Sequence, residues 1–156
     1  MFHLAMWRER FRNGLAEMEA GREFSGPPEN VDELNDGELV SGIGTPLSDA
    51  AARSDQLLGE IIDLYQRLGE RPMKWFVASN TTEAVLRNSY VHPRGHMYSY
   101  RLENGNEEGA SKLFEDALTE MRGIEAPAIV MDSVLYNTAC TRARTGRLDE
   151  AIDLLG

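Results

Sequence analysis

The last twenty-five residues, Asp132–Gly156, constrain this chain more than any other stretch. Val134, Leu135, Ala139, Cys140 and Ala143 form an apolar stripe on one helix, and Thr145-Gly146-Arg147 breaks it. Leu148, Ala151, Ile152 and Leu155 then recur at i, i+3, i+4 and i+7, the spacing of a second amphipathic helix. Gly146 sits where a helix ends in a left-handed residue, a conformation that glycine adopts at little cost. The spacing predicts an antiparallel helical hairpin with Ala139 and Ala151 at the close approach of its helices.

The run L-Y-N-T-A…G-R-L-D-E-A-I-D-L-L resembles one unit of a tetratricopeptide repeat. In that resemblance Leu135 takes the usual Trp position, Ala139 and Ala151 the small positions, and Leu155 the following large apolar one. The run is similarly close to a pentatricopeptide repeat. The first resemblance implies a module for protein–protein interaction or assembly, alone or within a larger complex; the second implies an RNA-associated subunit, with Thr138 placed against a base. Stepping back by the family period of about 34 residues places Leu148, Ala151, Ile152 and Leu155 on Phe114, Ala117, Leu118 and Met121, all apolar. The first helix of that earlier unit fails the test, because Leu135 lands on Arg101 and Ala139 on Gly105. Residues 110–156 therefore read as a terminal repeat-like segment whose missing surface the rest of the chain supplies.

With 156 residues, 42% hydrophobic and 27% charged, the chain has the composition of one soluble globular domain spanning 1–156. Its formal net charge of −10 disfavours nucleic acid and suits partners with basic patches. No apolar run is long enough to span a membrane. A single cysteine, Cys140, forms no internal disulfide and fits a reducing intracellular compartment, cytoplasmic or organellar. On its apolar helix face it reads as a structural thiol.

Leu4, Trp7, Phe11, Leu15 and Met18 mark one face of an N-terminal helix that ends near Gly21. Between Glu23 and Ala52 there is no Lys or Arg, whereas acidic residues accumulate. Residues 23–46 read as a long acidic loop or arm, with Val31, Leu34, Leu39 and Val40 as anchors for a basic partner or for the chain's own groove. Thr45-Pro46 then opens a helix whose stripe is Leu57, Leu58, Ile61, Ile62, Tyr65 and Leu68, ended by Gly69. Asn80 and Glu83 are placed as a capping pair for a further helix from Thr81 to about Tyr90, which Pro93 stops.

His92-Pro93-Arg94-Gly95-His96 is the most chemically suggestive stretch. Pro and Gly between the histidines deny the helix that would align both on a metal, so no metal or other cofactor is expected. Arg87, His92, Arg94, His96 and Arg101 instead make an anion-site candidate, since guanidinium and imidazolium both donate to phosphate or carboxylate. Tyr98, Tyr100 and Leu102 alternate as a strand would, with 75–78 or 128–131 as possible pairing edges. The run L-R-N-S-Y-V-H-P also resembles the strand and exit of acyl-CoA acetyltransferases, which implies a small enzyme centred on 92–101; the Gly-rich turn of that family is missing. No nucleophile elbow, phosphate loop or zinc-protease motif occurs.

The expected fold is mainly α: a helical bundle or short helical-repeat array of about six helices, with at most one short strand pair in the middle. The expected function is non-catalytic binding of a basic or amphipathic protein. Val31, Leu34, Leu39, Tyr136, Asn137 and Thr138 are the partner-binding candidates, and the RNA-associated and acyltransferase or anion-binding readings are the alternatives.

Overall fold

The computed structural model describes residues 1–24 and 26–156; Ser25, inside the acidic arm, lies outside the described residues. The chain is mainly α-helical, with one short two-stranded sheet, and it divides into two compact units, Met1–Ser89 and Tyr90–Gly156. No helix is long and apolar enough to cross a membrane among the described residues.

The first unit is built on α1 (Phe2–Glu19) and α3 (Leu47–Leu68). Their ion pairs, Glu9 with Arg53, Arg12 with Glu60 and Glu19 with Arg67, climb both helices together, so the two run parallel. Leu4, Trp7, Phe11 and Leu15 are buried, as the α1 stripe requires. From α3 come Leu57, Ile61, Leu64 and Leu68, whereas Ile62 is exposed, so the buried face is centred on Leu64. Gly69 ends α3 with φ 63°, a backbone state that costs glycine little.

The arm is not a loop throughout. Val31–Gly42 forms α2, with Asp32 and Glu33 in its first turn, where the helix dipole favours negative charge. Val31 and Leu34 pack partly against the core, Trp7 Nε1 donates to Asn35 Oδ1 at 3.0 Å, and Arg10 pairs with Glu38. Leu39 and Val40 turn outward.

After α3 the strands β1 (Pro72–Trp75) and β2 (Ala78–Asn80) pair antiparallel, with Trp75 opposite Ala78. Phe76 at the tip holds φ 53° and keeps ring contacts with Trp7 and Trp75. The buried Thr81 closes the hairpin base, donating to Gly69 O at 2.8 Å and accepting from Arg71 N at 3.0 Å. The expected cap also forms: Asn80 Oδ1 accepts from Glu83 N, and Glu83 Oε2 accepts from Ser79 N. These bonds hold the Glu83 carboxyl below its usual range, the Ser79 amide contributing most.

Helix α4 (Thr81–Leu86) is not stopped by Pro93. A π-helical turn at Arg87–Val91 follows, and α5 (His92–Glu103) continues directly with Pro93 in its first turn. Proline lacks an N–H and crowds the carbonyl four residues back; a wider turn just before it removes both conflicts. The strand expected at Tyr98–Leu102 and the acetyltransferase-like strand over 86–93 are therefore helical, and the pairing edge at 128–131 is the first turn of a helix.

The second unit comprises α5, α6 (Glu107–Gly123), α7 (Ala128–Arg144) and α8 (Leu148–Leu155). Its hairpins α5–α6 and α7–α8 share one turn. Asn106 N bonds Arg101 O at 2.8 Å and Gly105 N bonds Leu102 O; Arg147 N bonds Arg142 O at 2.8 Å and Gly146 N bonds Ala143 O. Both are Schellman closures, with Gly105 at φ 71° and Gly146 at φ 80°. In each, the arginine opening the motif reaches across the turn: Arg101 Nη1 donates to Gly109 O and Arg142 Nη1 to Glu150 O. A buried alanine follows, Ala110 in one and Ala151 in the other. Every pair is the same 41 positions apart, 101 to 142, 105 to 146, 109 to 150 and 110 to 151.

Phe114, Ala117, Leu118 and Met121 of α6 are all buried, against Val130, Val134, Thr138 and Thr141 of the same unit. Cys140 is half-buried, Ala143 is exposed, and the inner face of α7 includes two threonines that the apolar stripe omits. Glu115 of α6 accepts from Arg142 at 2.8 and 2.9 Å and from Arg147 at 3.0 Å, and the Arg142 bonds chiefly hold its carboxyl below the usual range. Ala151 and Ala139 are both buried. Replacing Ala151 with Leu overpacks the hairpin and is expected to cost about 1–3 kcal/mol, read from the melting of the variant beside the parent.

Candidate functional site

On α5, residues advance about 100° each. His92 and His96, four apart, share one face; Arg94 and Arg101 fall on the opposite one. The side chains follow this geometry. His92 Nε2 and His96 Nε2 lie 2.8 Å apart, with ring centroids 4.6 Å apart and planes at 64°. The turn geometry thus supplies the alignment that Pro93 and Gly95 were expected to prevent. Partial desolvation of its ring holds the His96 imidazole below the ordinary range.

Arg94 lies over the Tyr90 ring, 3.4 Å from the centroid, with Nη2 3.2 Å from Glu120 Oε2. Tyr90 donates its hydroxyl to the same carboxylate, and burial followed by that bond raises its phenol above the usual range. Arg101 Nη1 is held by Gly109 O at 2.6 Å. Arg87 belongs to the first unit and the other four to the second. Within the second unit, then, the anion candidates separate: the histidines meet each other, and both arginines are bonded to α6.

The partner-binding candidates also separate. Val31 and Leu34 face inward on α2, whereas Leu39 is 66% exposed. Tyr136 is 62% exposed on α7, and half-buried Asn137 donates to Ser133 O at 2.7 Å. Thr138 is fully buried, its hydroxyl donating to Val134 O at 2.7 Å and to Phe114 O at 3.2 Å. So placed, its hydroxyl is occupied within the unit rather than presented on the surface.

Two apolar surfaces stand out, of which the candidates missed the one on α8 and named only Leu39 and Val40 of the other. Helix α8 buries only Ala151, while Leu148, Ile152 and Leu155 are each about 60% exposed or more. The stripe was legible; its outward direction was not, because a period fixes a face but not what covers it. In the first unit, Leu39 and Ile43 line a cleft of about 270 Å³ with Phe2 and Met6, and Val40, Ile43 and Leu47 are 70%, 77% and 71% exposed. No protein-family profile, curated protein or solved structure matches the chain.

Proposed function

We propose that the chain is a non-catalytic interaction module whose α8 face receives an amphipathic, basic helix of a partner protein. The observation that carries this reading is the inverted packing of α8: the small residue faces inward, and Leu148, Ile152 and Leu155 face solvent at i, i+4 and i+7. An apolar stripe of that spacing complements a second helix stripe. The exposed acids Asp149 and Asp153 flank it in a chain of net charge −10, so Lys or Arg at the partner's rim is favoured over acids. Charge and the burial of Thr138 both disfavour the RNA-associated alternative.

The test is fluorescence anisotropy with a labelled Leu/Lys amphipathic peptide, beside a control peptide carrying Ser at the Leu positions. The parent is expected to bind the first and not the second. The double variant I152D/L155D should weaken binding at least about tenfold, or about 1.4 kcal/mol. Equal affinity of parent and variant would remove α8 from the interaction. The α2 surface supports a second reading, because its apolar cleft is lined by Leu39, Gly42 and Ile43 of the acid-rich α2 segment and by Glu38. Loss of binding in L39D/V40D, with I152D/L155D unaffected, would favour it.

A further inference from the structure

The histidine pair takes no part in that surface, and its geometry is specific. Two imidazole nitrogens 2.8 Å apart are either a neutral N–H···N hydrogen bond or two ligands of one ion. Metal–imidazole distances are about 2.0–2.1 Å, so nitrogens at right angles on one ion stand about 2.9 Å apart, and at the tetrahedral angle about 3.4 Å. The spacing is therefore near that of a right-angle bite. Tetragonal coordination by nitrogen and oxygen is characteristic of Cu(II) and Ni(II), and Cu(II) also heads the general order of affinity.

The scaffold favours the same chemistry. Both histidines stand in the first turns of a twelve-residue helix, four apart, with Pro93 restricting the backbone between them. Arg94 and Arg101, the neighbouring cations on α5, point to the other side and are engaged by Glu120 and Gly109. His96 is exposed and His92 half-buried, so an ion can reach the pair from solvent. The chain's net charge of −10 raises the local concentration of cations.

We propose that His92 and His96 form a bidentate site for a divalent late first-row ion of tetragonal preference, Cu(II) before Ni(II), with further donors such as water completing the shell. On binding, the ring that donates through Nε2 passes to its Nδ1–H tautomer by exchange with water. Both imidazoles stay neutral, and no net proton is lost.

Isothermal titration of the full chain with Ni(II), and competition titration with Cu(II) against a weak chelator, tests the site. One ion per chain is expected, with at least about tenfold weaker binding in each of H92A and H96Q, and with Zn(II) weaker than Cu(II). Circular dichroism of the variants should match the parent, since neither histidine is buried in the core. Electron paramagnetic resonance of the Cu(II) form should show a tetragonal signal with hyperfine structure from at least two imidazole nitrogens. Unchanged affinity in both variants, or a shell with fewer than two imidazoles, would overturn the proposal.

Discussion

Phe11→Ala is expected to destabilise the first unit by about 3–5 kcal/mol, the range for a fully buried aromatic truncated in a packed core. Phe11 has no exposed surface, and its ring centroid lies 4.9 Å from that of Trp75. Around the same indole are Trp7 at 6.4 Å and Phe24, stacked at 5.9 Å. Truncation opens a cavity at the centre of this cluster, where the parallel helices α1 and α3 leave little freedom to collapse. Both tryptophans of the chain are in this unit, so indole fluorescence during urea unfolding reports it specifically. Phe11→Leu keeps most of the volume and should cost less than about 1.5 kcal/mol. An F11A midpoint near that of the parent would show that the aromatic cluster does not hold the unit together.

Much of the helical content was legible because long amphipathic stripes leave little choice. The α1 face, with Met18 partly buried, and the four apolar positions of α6 turn inward as their spacing implies. Helix α2 was not legible: Gly37, Asn35 and four acids mask it, and its anchors Val31 and Leu34 gain their partners only from the folded core. The likeness of the two hairpins was half legible for an instructive reason. A step of about 34 residues differs from the observed 41 by seven, two helical turns, so it lands on the same face of α6 in the wrong place. Apolar residues therefore matched while the turn, where the two hairpins are alike, did not.

The candidate site divides along the same line between local and tertiary information. The meeting of His92 and His96 follows from helix geometry once Pro93 is allowed in a first turn. Residues 98–102 alternate like a strand, but the three apolar positions are too few to outweigh the helix that the Arg101–Asn106 closure ends. Thr138 and Thr141 were legible only as polar. Each satisfies its hydroxyl on the carbonyl four residues back, at 2.7 and 2.8 Å, and so enters the core without an orphaned donor.

Arg8→Met is expected to stabilise the first unit by about 1–4 kcal/mol. The guanidinium of Arg8 is buried between α1 and α3, and Nη1 donates to Ser54 O at 2.9 Å and Ser54 Oγ at 2.7 Å. Its Nε has no partner, and no carboxylate lies within ion-pair distance of it among the described residues. Burial lowers the pKa of this arginine, with Asp55 acting in the opposite direction, but the side chain stays charged at any working pH. The protein therefore carries an incompletely compensated charge in its interior, and two hydrogen bonds to neutral oxygens recover only part of the desolvation. Methionine has similar reach, fills irregular space and brings no charge. The cost is the loss of both bonds to Ser54, whose hydroxyl can turn to a carbonyl of its own helix. The flanking pairs of Arg12 with Glu60 and Arg53 with Glu9 remain to align the helices, though exposed pairs contribute little. Arg8→Ala is expected to move the other way, because it removes the charge and leaves a void. Urea unfolding followed by indole fluorescence separates the two, and an R8M variant less stable than the parent would show that the Ser54 bonds outweigh the buried charge.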